Sequence, residues 1–244
     1  MRTTALFVFA IASAPGVARA QEVTEWAGAA IAASPIGALT PLMSPSMIGR
    51  SLDGAQLALR YGLEWVTDTP VSPYGLAATG IFALGLKSTV SITAGLRDAN
   101  CDGCHARLML GAAGDMRVYE TSEFVGNGSG IALSVSGEVG YGSAFGEEDA
   151  FALGVGTPLT FSFATGDRDA LRIAPFIVPV FGVGQTSCPA GLPDCGQSGS
   201  RLVLGGGVAV WNPMTNISAS VGFNRVMQEG EKTIYGVNIV LGGR

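Results

Sequence analysis

The chain has 244 residues, 19 acidic and 14 basic, with one histidine, four cysteines and 36 glycines. Only 14% of residues are charged, against about 25% in an ordinary soluble domain, which excludes an intrinsically disordered chain. A formal net charge of −5 leaves no basic footprint for nucleic acid, and a chain this apolar must hide its surface in a large core or in lipid.

Residues 1–20 read as an address. Arg2 precedes an apolar run over residues 5–14, and Ala18-Arg19-Ala20 supplies a small-x-small cleavage site, the signature of a secretory signal peptide. Its removal leaves 12 basic against 19 acidic residues and places the mature chain where disulfides persist. Residues 21–52 form a second segment. Within it, residues 27–49 hold 23 positions without a charge, close to the length of a membrane helix. Pro35, Pro41 and Pro45 interrupt the run. Each proline costs about 3 kcal/mol in a helix interior, so a short helix near residues 24–33 is the most that survives. Two readings stand: a flexible periplasmic leader, or an apolar plug for whatever cavity follows.

From Asp53 the pattern turns to a period of two. Leu57, Leu59, Tyr61, Leu63 and Trp65 alternate with Ala58, Arg60, Gly62 and Glu64. Val90, Ile92, Ala94 and Leu96 alternate with Ser91, Thr93, Gly95 and Arg97. The same pattern recurs through Leu108–Val118, Ile131–Tyr141, Phe151–Phe163, Ile217–Phe223 and Tyr235–Leu241, with weaker runs near 74–84, 170–183 and 201–211. Period two means strand, and turn-rich segments separate about ten such runs (eight to twelve). No helical pattern intervenes, which argues against βαβ units.

The second face of these strands is Gly, Ala, Ser and Thr with occasional charges, and the whole chain has two lysines. Such a face is too small and too sparsely charged to meet water, but it suits the inside of a closed cylinder. The large face, with Tyr61, Trp65, Tyr141, Phe151, Phe161 and Phe163 towards strand ends, suits lipid with aromatic girdles. On these residues the chain from Asp53 to Arg244 resembles the small outer-membrane β-barrels of Gram-negative bacteria. The resemblance implies an all-β, closed, antiparallel up-and-down transmembrane barrel over residues 53–244, monomeric, in contact with outer-membrane lipid. The last run, Gly236-Val237-Asn238-Ile239-Val240-Leu241, looks like the signal read by the barrel-assembly machinery, although it uses aliphatic rather than aromatic residues and ends Gly242-Gly243-Arg244. With both termini periplasmic, segments after odd-numbered strands face the cell exterior, and both cysteine pairs fall on that side.

Cys101-Asp102-Gly103-Cys104-His105 is the most specific motif. Read literally, C-x-x-C-H attaches a c-type haem, with His105 as axial ligand. Asp-Gly is also a strong hairpin signal, and the ends of such a turn lie within disulfide reach. A loop disulfide is therefore the expectation, with haem, metal or redox chemistry at His105 as the alternative. Cys188 and Cys195 bracket a second loop and suggest a second local bridge, although four cysteines allow three pairings. Arg60, Glu64, Arg97, Arg107, Asp115, Arg117 and Glu138, with Arg172 beside them, fall on the small-residue face. They form either a space-filling charge network, since buried charges need partners, or a narrow polar conduit. No nucleophile elbow or phosphate loop occurs. The expectation is a non-enzymatic envelope barrel without a cofactor, having a structural, surface-contact or small-solute passage role. The alternative is a haem-binding or electron-transfer surface protein built on residues 101–105.

Overall fold

The computed structural model describes residues 39, 41–44, 47, 55–66, 74–98, 106–121, 124, 129–143, 149–166, 171–187, 198–212, 214–227 and 232–242. Eleven strand segments follow one another: β1 (Ala55–Val66), β2 (Tyr74–Gly85), β3 (Ser88–Asp98), β4 (Arg107–Glu120), β5 (Gly130–Ser143), β6 (Asp149–Gly156), β7 (Leu159–Ala164), β8 (Arg172–Ser187), β9 (Ser198–Asn212), β10 (Ile217–Val226) and β11 (Lys232–Gly242).

Every pairing is antiparallel, and apart from β6 and β7 each strand bonds to its neighbours in sequence. The last strand returns to the first through an unbroken register from Gln56↔Gly242 to Val66↔Lys232. The ladder is therefore closed and has no edge. Segments β6 and β7 share one position, both lying between β5 and β8, so the cylinder has ten strands. The break falls at Thr157-Pro158, opposite Pro179 of β8. Proline has no N–H for a ladder, and the bonds regroup around the break: Thr157 N donates to the Pro179 carbonyl (3.0 Å) and Ser134 N to the Pro158 carbonyl (2.8 Å). The runs that were weak in sequence, near 74–84, 170–183 and 201–211, are full strands.

Burial follows the period of two, with the usual polarity inverted. Along β2, exposed and buried positions alternate from Tyr74 to Thr79. Leu57, Leu59, Leu76, Ile92, Leu96, Leu108, Val155, Phe181, Val221 and Val237 are exposed, while Thr79, Thr89, Ser91, Thr93, Ser134, Thr160, Ser162, Ser218 and Ser220 are buried. An apolar belt running over consecutive strands is one that soluble monomers rarely expose. Together with a ladder closed from first strand to last, it defines a transmembrane β-barrel.

Strand ends define two rims. The cysteine rim carries the ends of β3 and β8 and the starts of β4 and β9, so both cysteine-bearing connections leave from it; β1 starts at the opposite rim. That opposite rim has the tighter connections. Leu86-Lys87 joins β2 to β3, and an Asn212 side chain accepts from Met214 N at 2.9 Å to set the turn before β10. Asn216 closes this turn at φ 60, a conformation asparagine tolerates. At the start of β5, Gly130 has φ +147, and a Cβ there would meet Thr121 Oγ1 and the Phe124 backbone. Glycine lets the chain return tightly enough to seat the fully buried Phe124 beneath Arg117, whose guanidinium lies 5.5 Å from the ring centroid.

Candidate functional site: the occupied lumen

The departure from the small-residue rule for the interior is most pronounced in β8. In β8 the inward positions are Ala174, Phe176, Val178 and Val180, all buried, and with Val203, Ala209 and Val226 they form an apolar wall inside the barrel. Phe176 lies across the glycine pair Gly207↔Gly222 of β9 and β10; its Cζ is 2.9 and 3.5 Å from where Cβ atoms on these residues would stand.

Against this wall lie residues from the segment preceding β1. Met43 and Met47 belong to the same apolar cluster. Leu39 packs with Ala77 and Met109, and Leu42 packs against Ala58, Ile81 and Val240. Leu39 has no exposed surface and Met43 is 2% exposed. A ten-stranded cylinder with a small-residue lining has more room than its own side chains fill. Flexible methionines fit such irregular space.

The polar lining holds the same segment by its backbone. Asn224 Nδ2 donates to the Leu39 carbonyl (2.9 Å) and Asn238 Nδ2 to the Pro41 carbonyl (3.1 Å). Asn238 Nδ2 also reaches Ser220 Oγ at 3.1 Å, while its Oδ1 accepts from Arg60 Nε at 3.1 Å. Both asparagines and Arg60 are 1% exposed. Ser44 turns the segment, its carbonyl accepting from Met47 N at 3.0 Å. Beside Met43 and Ser44 remains a small cavity of roughly 50 Å³, lined also by Arg60, Ser91, Asp115, Ser136 and Glu138. Arg60 and Glu138 act on each other electrostatically across it.

The charged candidates fall at three heights. Arg60, Asp115 and Glu138 surround the mid-lumen cavity, and Thr89 Oγ1 donates to Asp115 Oδ2. Arg117 lies at the β1 rim, with its Nε 2.5 Å from Glu120 Oε2, and Lys87 Nζ is 2.6 Å from Glu120 Oε1. Arg172, also at this rim, stacks 4.7 Å from the Trp211 ring centroid. Arg97 and Arg107 are register partners and half-buried at the cysteine rim. Glu64 belongs to β1 opposite Ile234, and its side chain lies outside the described residues. So do Cys101, Cys104, His105, Cys188 and Cys195, and with them the disulfide, haem and metal expectations. Among the described residues no group of three His, Cys, Asp or Glu side chains could hold a metal ion.

The residues missed in sequence are Asn224, Asn238 and the apolar wall. The signals were present. Asparagine is depleted in strands, so one at an inward position marks a partner inside, and β8 and β9 are apolar on both faces over Ile173–Phe181 and Leu202–Trp211.

No protein-family model and no curated protein matches the chain. Among solved structures it is similar to the translocator domain of the autotransporter NalP from Neisseria meningitidis, at 11% identity over 80% of this chain and 91% of that one, with TM-score 0.36. It is also similar to Ail, the attachment invasion locus protein of Yersinia pestis, in complex with sucrose octasulfate, at 12% identity over 77% and 97% with TM-score 0.30. A third is a de novo designed transmembrane β-barrel, at 10% identity over 78% and 99% with TM-score 0.28. These likenesses concern the fold alone; the ten-stranded closed sheet and its apolar exterior define a transmembrane β-barrel.

Proposed function

We propose that the protein is a non-enzymatic outer-membrane barrel whose lumen is shut by its own segment around residues 39–47, and that it works at the membrane surface rather than by passing solutes. The observation behind this reading is the pair of asparagine amides bonded to the Leu39 and Pro41 carbonyls. Two backbone groups in a lumen that ten strands would otherwise leave partly open are thereby satisfied by the barrel wall. In this reading residues 1–20 are a signal peptide, the chain is a monomer inserted by the barrel-assembly machinery through β11, and the cysteine rim is extracellular. No cofactor takes part, and absorbance of the pyridine haemochrome tests the haem alternative at His105.

Conductance tests the main reading. Purified protein in a planar lipid bilayer should show no steady channel, whereas Asn224→Ala/Asn238→Ala should show intermittent openings as the segment loosens. A steady conductance in the wild-type protein would end the proposal.

A further inference from the structure

The segment in the lumen has a direction. Leu39 meets Ala77, three residues into β2 from Tyr74; Met109, two residues into β4 from Arg107; and Asn224, two residues before β10 ends at Val226. All three positions lie near the cysteine rim. Leu42 meets Ala58, three residues into β1; Ile81, four residues before β2 ends; and Val240, two residues before β11 ends. Those three lie near the opposite rim. Six strand positions on separate parts of the wall thus agree. The three residues from Leu39 to Leu42 descend about 10 Å, the reach of an extended chain. From Met47, eight residues spanning at most about 28 Å lead on to Ala55 at the rim where β1 begins.

We propose that the chain crosses the lumen from the cysteine rim to the opposite rim, so that the barrel presents the residues preceding Leu39 on the same side as its two cysteine-bearing connections. Leu39 stands only two or three residues' rise below that rim, about 7–10 Å, and its own carbonyl is held by the Asn224 amide. The protein would then be a display device as well as a closed barrel, holding its N-terminal stretch through the wall of the membrane with the Asn224 and Asn238 amides as backbone clamps. Such clamps bond to carbonyls and ignore side chains, so the stretch ahead of Leu39 is free to vary in sequence without loss of seating. This inference rests on residues 39–47 occupying the lumen.

Single cysteines test it, in a background where Cys101, Cys104, Cys188 and Cys195 are serine. Ala33→Cys reports the chain before Leu39, Ala106→Cys the cysteine rim, and Met214→Cys, at a position 75% exposed, the opposite rim. Each variant is treated with a membrane-impermeant maleimide on intact and then on opened cells. Ala33→Cys should react under the same condition as Ala106→Cys and under the other condition from Met214→Cys. Reaction together with Met214→Cys would overturn the direction, and so would protection of Ala33→Cys in both preparations while Ala106→Cys reacts. If the serine background does not fold, a short epitope inserted at the same three positions in the wild-type chain and read by antibody gives the same comparison. The two readings fail separately. A wild-type barrel that conducts steadily removes the sealed lumen, whereas a sealed barrel whose position 33 follows position 214 removes only the direction.

Discussion

Asn238 is the residue on which the lining and its occupant both depend, and replacing it separates their contributions. Its buried amide makes three contacts: Oδ1 accepts from the Arg60 guanidinium, and Nδ2 donates to the Pro41 carbonyl and reaches Ser220 Oγ. Asn238→Leu keeps the branched shape and removes all three. A hydrogen bond to a charged group contributes about 1.5–3 kcal/mol, and a buried acceptor left unsatisfied costs about 1–3 kcal/mol. Because Ser220 can turn its hydroxyl elsewhere, the expected loss is about 3 kcal/mol, from Arg60 and Pro41 together. Asn238→Asp has the same shape but divides the effect. Its carboxylate still accepts from Arg60 and now bears an opposite charge, while it has no N–H for the Pro41 carbonyl. Urea unfolding in detergent micelles, followed by the gel shift between folded and boiled protein, should give a large drop in midpoint for leucine and a much smaller one for aspartate. Bilayer conductance should instead treat the two alike, with openings in both variants because both lose the donor to the Pro41 carbonyl. A leucine variant within about 1 kcal/mol of wild type that also stays closed would refute the role assigned to Asn238.

Other outcomes follow from the same geometry. Val221 is 57% exposed on the outer face at mid-strand, so Val221→Arg should cost about 2–4 kcal/mol in lipid and reduce the folded band in membranes; an unaffected variant would contradict the lipid-facing register of β10. A Cβ on Gly207 would stand 2.2 Å from the Val221 carbonyl oxygen, whereas one on Gly137 would meet nothing within 4 Å. Gly207→Ala should therefore cost at least about 2 kcal/mol and Gly137→Ala less than about 0.5 kcal/mol, measured by the same unfolding shift. Cys101→Ser/Cys104→Ser should assemble with an almost unchanged midpoint, because a bridge that short removes little loop entropy. His105→Ala should be silent in absorbance and metal content, and loss of a chromophore or metal would favour the haem or metal reading.

Much of the architecture was legible because a barrel wall is a local device. Side chains of successive residues point to opposite faces, so Leu57-Leu59-Tyr61 and Val90-Ile92-Ala94 announce both the strand and the side that meets lipid without reference to any other part of the chain. Even the strand that breaks at Pro158 keeps its phase, since Val155 and Phe163 are both exposed on either side of the break. Charge placement was legible by the same parity rule: Arg60, Asp115, Arg117 and Glu138 all occupy inward positions because each sits one residue from an outward apolar one.

The partners of those inward residues were decided by the tertiary structure alone. Arg60 meets Asn238 across 178 positions of sequence, and Asn224 meets Leu39 across 185, because closing a cylinder brings the first strand against the last and leaves a hole that some other part of the chain must fill. Periodicity reports which way a side chain points and carries no information about what stands opposite it. For residues 21–52 the sequence offered two readings, periplasmic leader or plug. Composition alone could not separate them, since an apolar proline-rich stretch resists helix formation equally well in either place. What bears on them is tertiary: β8, apolar on both faces at Phe176, Val178 and Val180, shares one apolar cluster with Met43 and Met47, and the asparagine amides of β10 and β11 bond to the Leu39 and Pro41 carbonyls, which supports the plug reading proposed above.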